Sequence, residues 1–303
     1  MVLVAFLAAC AQAPQREPVL AAPPISAIKK QPRLGLALGG GAARGFAHIG
    51  VLQVLEEAGL APDLVVGTSA GSVVAALYAS GKSGRELQLI AESMEEASFS
   101  DWRLPLFKPG LLRGEALARF ISDQVRGQQI QELPRPLGVV VTDLQSGAGV
   151  LFQRGDTATA VRASSAIPAV FQPVTIAGRD YVDGGLVSPV PVVFTKKMGA
   201  DLVVAVDISG DLQGNAGQDM FQILMKTFAI MGKSLTAFEL QKADLVVRPA
   251  TTGLSSASFA SRRNAIQSGR QAMLAALPAL RQLIAQRSNW ALISCWPKSC
   301  EHR

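Results

Sequence analysis

Histidine occurs only twice in the 303 residues, at His48 and His302, and that scarcity limits how a nucleophile here can lose its proton. His302 is the penultimate residue, where fraying is the default. His48 falls within a helical pattern between Ala47 and Ile49, a setting that suits a packed or hydrogen-bonded ring better than a base. A Ser-His-Asp triad is therefore not expected. Cysteine occurs three times, at Cys10, Cys295 and Cys300, with no Cys/His spacing of the kind that holds a metal, so neither a metal nor another cofactor is expected. The 29 Lys and Arg outnumber the 23 Asp and Glu, giving a net charge of +6, but they are scattered without a basic block or interleaved aromatics. That pattern argues against nucleic acid as a partner and leaves weak attraction to anionic lipid. No internal repeat is present.

With 49% hydrophobic and 17% charged residues, the chain is expected to form one large globular domain. From Arg33 onward, short apolar runs alternate with helical periodicity, which points to an α/β fold with a mostly parallel central sheet. Strands are expected at 34–38, 63–66, 137–141, 150–153, 174–176, 202–206 and 244–247. Helices are expected at 43–58, 72–79, 114–124, 220–240 and 261–286, the last interrupted by Pro278.

The second strand runs into Gly67-Thr68-Ser69-Ala70-Gly71, a G-x-S-x-G with a strand before it and a helix after it. This is the setting of a nucleophile elbow and makes Ser69 a candidate nucleophile. The glycine run Gly39-Gly40-Gly41-Ala42-Ala43-Arg44-Gly45 follows the first strand. Two details argue against a dinucleotide there: Ala42 occupies the middle glycine position of the G-x-G-x-x-G register ending at Gly45, and no acidic residue ends the second strand. The same geometry suits acyl transfer, with the N–H groups of Gly40, Gly41 and Ala42, helped by that of Ala70, directed at an oxyanion.

Without a histidine, the base must be a carboxylate. Asp183 opens Asp183-Gly184-Gly185, where paired glycines allow close backbone approach, although an ordinary D-G turn fits equally. Asp143 and Asp207 each end an apolar strand and fit either the same crevice or a hydrogen-bonded strand-end role.

Taken in order, GGGAARG, GTSAG and DGG resemble the motifs of the patatin-like phospholipase family, and the similarity covers about Leu34 to Gln286, including RASSAIPAVFQPV and VVAVDIS. The resemblance implies a three-layer α/β/α fold with a mostly parallel central sheet, a Ser-Asp dyad of Ser69 and Asp183, an oxyanion hole centred on Gly40 and Gly41, and Arg44 as the motif arginine. Ala42 stands where that family often has glycine, and its N–H is retained. Gly39, Gly45, Gly67, Gly71, Gly184 and Gly185 are the motif-supporting glycines. The implied activity is acyl-ester hydrolysis of phospholipid, lysophospholipid or a similar ester through an acyl-enzyme. The alternative is a catalytically silent lipoprotein that uses the same fold to bind lipid or a partner. An acyltransferase with a histidine base is disfavoured by the shortage of histidine.

The flanks carry further expectations. Residues 1–9 are apolar and too short to span a bilayer, and Leu7-Ala8-Ala9-Cys10 resembles a bacterial lipobox, although no Lys or Arg precedes it. Diacylglycerol on Cys10 would anchor the protein in the cell envelope, facing the periplasm. Residues 10–33, with five prolines, read as a tether to a catalytic domain at 34–286. A tail at 287–303 carries Cys295 and Cys300, either as a disulfide or as free thiols. The apolar segment Phe99–Leu112 reads as a lid, an acyl groove or buried packing.

Overall fold

Successive residues of the central strands face opposite ways, and both directions are apolar. Leu34, Leu36 and Leu38 enter one core with Val65, Val139, Val204 and Val206. Ala37, Val203 and Ala205 enter a second, and Leu64, Val66 and Val140 a third, both on the other face of the sheet. A sheet that is apolar on both faces must be covered on both. The computed structural model describes residues 31–94, 112–210, 220–250 and 261–293. Cys10, residues 11–30 of the tether, Phe99–Leu111, Cys295, Cys300 and His302 lie outside the described residues.

The strands are β1 (Leu34–Leu38), β2 (Leu64–Thr68), β3 (Leu137–Asp143), β4 (Gly149–Phe152), β5 (Val174–Ile176), β6 (Arg179–Asp183), β7 (Leu202–Val206) and β8 (Leu245–Val247). They form one sheet in the order β5-β6-β3-β2-β1-β7-β8, with β4 also paired to β3. Pairings among β1, β2, β3, β7 and β8 are parallel, and those made by β4, β5 and β6 are antiparallel. The larger core takes its helical side chains from α1 (Ala47–Glu57), α2 (Ala70–Ala79), α3 (Gly84–Ser93), α4 (Glu115–Val125), α5 (Thr157–Ser164) and α8 (Arg262–Ile293). The other face is covered by α6 (Val192–Lys197) and α7 (Met220–Leu240). The result is the expected three-layer α/β/α arrangement with a mostly parallel sheet.

Three local expectations change. α8 runs through Pro278 to Ile293 without the expected interruption. The missing N–H would have bonded the carbonyl of Leu274, a residue 51% exposed, where water can take over as donor. Residue 286, the expected domain boundary, therefore lies inside a helix. The glycine run leads into a 3-10 turn, Ala42–Phe46, before α1 begins. α3 is an element not anticipated from apolar periodicity; it starts at a capping box in which the Ser83 side chain accepts from Glu86 N–H while Glu86 reaches back to the Ser83 N–H.

One detail of sheet register positions the site. β4 pairs with residues 139–142 of β3 and so fills one edge of that strand. On the other edge, β2 pairs up to Thr68 opposite Val140, and β6 takes over with its last residue, Asp183, opposite Val141. β2 and β6 therefore meet end to end along one edge of β3. Asp183 takes the rung immediately after the one where β2 stops, beside Ser69.

Candidate active site

Ser69 turns the chain from β2 into α2 with φ 52 and ψ −124, a region that non-glycine residues rarely occupy and that costs about 1–3 kcal/mol. Several hydrogen bonds hold it there. Its N–H donates to Ser164 Oγ at 2.9 Å, and Ser164 in turn donates to the Val140 carbonyl at 2.7 Å. Its carbonyl accepts from Ser72 N–H at 2.8 Å and from Ser72 Oγ at 2.6 Å. Gly71 is required by crowding, because a β-carbon there would overlap the Leu38 carbonyl oxygen. Gly67, in β2, lies under the same turn, and Gly45 packs against Ala70.

Asp183 is both the last residue of β6 and the cap of the 3-10 turn Gly184–Leu186. Its backbone is fixed on both sides, with its N–H donating to Ala166 O at 3.0 Å and its carbonyl accepting from Thr142 Oγ1 at 2.8 Å. Gly184 is again a close approach, since a β-carbon would strike the Val140 carbonyl oxygen. The carboxylate accepts from Gly185 N–H at 2.7 Å. Only 6% of Asp183 is exposed, and burial pushes its carboxyl up to about 6 against the lowering influence of the neighbouring Ser69 side chain and the Gly185 N–H. Desolvation thus makes it a stronger base than an ordinary carboxylate, while leaving it mostly ionised above neutrality.

The pair opens into a cleft of about 420 Å³. Gly40, Gly41, Ala42 and Arg44 form one side of it, Ile167, Pro168, Gly185 and Leu186 another, and α7 a third through Phe228, Met231 and Lys233. Among the described residues no group of three or more His, Cys, Asp or Glu side chains is arranged to hold a metal ion.

The glycine loop requires a correction. The Gly40 N–H donates to the Pro189 carbonyl at 2.9 Å, so it is committed to holding the loop against the segment after β6 and is not directed at an oxyanion. Gly39 is similarly tied, through its N–H to Val206 O at 3.1 Å. The N–H groups of Gly41 and Ala42 make no such bond, and Ala42 adopts φ 51, the left-handed conformation that glycine would take more easily. With the Ala70 N–H, at the first turn of α2, they are the remaining donors near Ser69. Arg44 lines the cleft with its Nε buried and unpartnered; burial lowers its guanidinium pKa against the attraction of Asp207.

The other candidates fall elsewhere. His48 is fully buried, and burial pushes its pKa down to about 4, so the ring is neutral. Its Nε2 lies 2.8 Å from the Gly39 carbonyl, which can only accept, so Nε2 carries the proton and supports the glycine loop from behind. Asp143 is bound to Arg179 at 2.6 Å and to the N–H groups of Gln145 and Ser146, and the arginine holds its carboxyl down at about 2. Asp207 accepts from Ser209 N–H and pairs with Arg248 at 3.4 Å. Neither lines the cleft; both take strand-end roles. Ser164, Ser72 and Thr142 were not singled out from the sequence, and Pro189 was marked only as stiffening the exit from Asp183-Gly184-Gly185. The one available clue was that Ser164 lies within RASSAIPAVFQPV.

Comparison with known proteins identifies the family and the fold. The family model described as patatin-like phospholipase matches residues 36–195. An uncharacterised NTE family protein of Mycobacterium tuberculosis is 40% identical over 190 residues, covering 61% of this chain and 51% of the relative. Patatin-like phospholipase domain-containing protein 6 of Mus musculus is 36% identical over 181 residues, covering 58% of this chain and 13% of that protein. The chain thus spans about half the length of its mycobacterial relative. The crystal structure of VipD from Legionella pneumophila shares the fold, with a TM-score of 0.53 at 17% identity over 82% of this chain and 67% of that one.

Proposed function

The chain belongs to the patatin-like phospholipase family, and we propose that it is a serine-dependent acyl-ester hydrolase acting on phospholipids, lysophospholipids or related esters. The observation that carries this reading is the placement of Ser69 beside a buried carboxylate whose pKa is raised toward neutrality.

Ser69 Oγ attacks the ester carbonyl as Asp183 takes the hydroxyl proton. The carbonyl π pair moves onto oxygen, and the N–H groups of Gly41, Ala42 and Ala70 stabilise the resulting oxyanion. Collapse expels the alcohol, which recovers the proton from Asp183 and leaves an acyl-Ser69 ester. Water then attacks that ester with Asp183 again accepting a proton, and the fatty acid leaves as Ser69 is reprotonated. Every proton is carried by one group, so no histidine is needed.

The same reading includes anchoring in the cell envelope by diacylglycerol on Cys10, supported by the Leu7–Cys10 pattern and the proline-rich residues that follow. Intact mass of the mature protein tests it, and an unmodified Met1 would refute it.

For the chemistry, Ser69→Ala and Asp183→Asn are each expected to lower hydrolysis of short-chain p-nitrophenyl esters by about 10³-fold or more in folded protein. A fluorophosphonate probe is expected to label Ser69. Full activity in Ser69→Ala, or an unreactive serine, would refute the assignment and favour a silent lipid-binding protein.

A further inference from the structure

We propose that the solvent face of α7 is a docking surface for an anionic lipid bilayer, which delivers acyl chains directly into the cleft; the idea rests on the lipid-hydrolase reading above. Ile223, Leu224, Ile230, Met231 and Phe238 are 51%, 36%, 51%, 55% and 59% exposed. At 100° per residue they fall within an arc of about 120° on the helix. Lys226 and Lys233, one heptad apart, run along one side of that arc. Lys242, just past the helix, sets its Nζ 4.1 Å from the centre of the Phe238 ring.

From Met220 to Lys242 the sequence contains a single carboxylate, Glu239. It lies on the opposite, buried side, accepting from Ser188 Oγ and Val193 N–H. The outward face therefore combines apolar side chains with cations and no anion, the pattern of a helix that lies in a membrane interface. No described helix is long and apolar enough to cross a membrane, which fits lying on the surface.

Charge selects the occupant. A second copy docked isologously would set this cationic face against itself, bringing Lys233 and Lys242 toward lysines of the other copy with no exposed carboxylate on this helix to balance them. Anionic headgroups supply that balance. Position supports the same choice, because Phe228, Met231 and Lys233 of α7 line the cleft that holds Ser69.

The test uses full-length Cys10→Ser, Ser69→Ala protein, free of both acylation and turnover, in sedimentation with vesicles of phosphatidylcholine alone or mixed equally with phosphatidylglycerol. Binding is expected to the mixed vesicles, and to be about tenfold weaker without phosphatidylglycerol or at high salt. Ile223→Ser, Ile230→Ser and Phe238→Ser combined should weaken it a further tenfold or so. The milder Lys242→Glu should weaken it about fivefold. With Ser69 restored, both variants should hydrolyse a monomeric short-chain ester at the parent rate.

Parent-like vesicle binding by both variants, indifference to phosphatidylglycerol, or a dimer lost on substitution with vesicle binding unchanged would each overturn the docking surface. Failure of ester hydrolysis with vesicle binding retained would refute the hydrolase reading and leave the surface standing.

Discussion

Replacing Asp183 with asparagine is expected to stabilise the protein while removing its base. The carboxyl of Asp183 has a pKa of about 6 in the folded protein, against 3.8 for a free aspartate. Below pH 3.8 the group is protonated in both folded and unfolded chains, and its burial carries no charge penalty. As the pH rises the unfolded chain ionises first, and the folded state must either hold the proton or, beyond about 6, carry a charge in a dry site. Stability present at low pH is thus lost as the pH climbs through about 6. A gap of about two pH units, at about 1.36 kcal/mol each, amounts to about 3 kcal/mol at pH 8 and about 1 kcal/mol at pH 4.5. Asparagine escapes that penalty, and its amide oxygen can still accept from Gly185 N–H. Urea denaturation at the two pH values measures the difference between Asp183→Asn and the parent. An asparagine variant less stable than the parent at pH 8, or a difference that does not shrink by pH 4.5, would refute the argument that desolvation sets the base.

Other expectations follow from the same geometry. kcat/KM should rise tenfold per pH unit up to a bend at about 6 and then level, because only ionised Asp183 accepts the Ser69 proton; a bend below pH 5 on a soluble ester would contradict the buried setting. Ser164→Ala removes the acceptor for the Ser69 N–H and should lower kcat about 10- to 100-fold with KM changed less than about 3-fold. A KM effect with kcat intact would show that Ser164 does not position the nucleophile.

What could be read in advance depended on whether the physical constraint was local. Gly71 is fixed by contact with a neighbouring strand, yet it sits within five residues of the nucleophile, so the elbow reads directly as G-x-S-x-G. The strands of the parallel sheet read as apolar runs because both faces are covered. Asp183 was marked by its paired glycines, but the residues alone could not separate it from a turn aspartate; what separates it is the rung it occupies on β3, a pairing between distant segments. Ser164 carries no local mark beyond its place in RASSAIPAVFQPV, because a serine in a helix has the same appearance whether or not another residue's N–H rests on it. The Gly40 N–H was misassigned for a related reason, since its acceptor, Pro189, comes from far along the chain. α3 carries two local marks that went unused, the Ser83/Glu86 cap and the helical spacing of Leu87 and Ala91.

The end-to-end meeting of β2 and β6 on β3 also has a consequence for the protein's birth. Ser69 leaves the ribosome more than a hundred residues before Asp183, and the strand that carries the aspartate pairs antiparallel at the edge that β2 vacates. A nascent or half-folded chain therefore exposes a serine with no proton acceptor. On the proposed dyad, Asp183 reaches Ser69 only when β6 closes that edge, so a chain whose β6 is unpaired lacks its base.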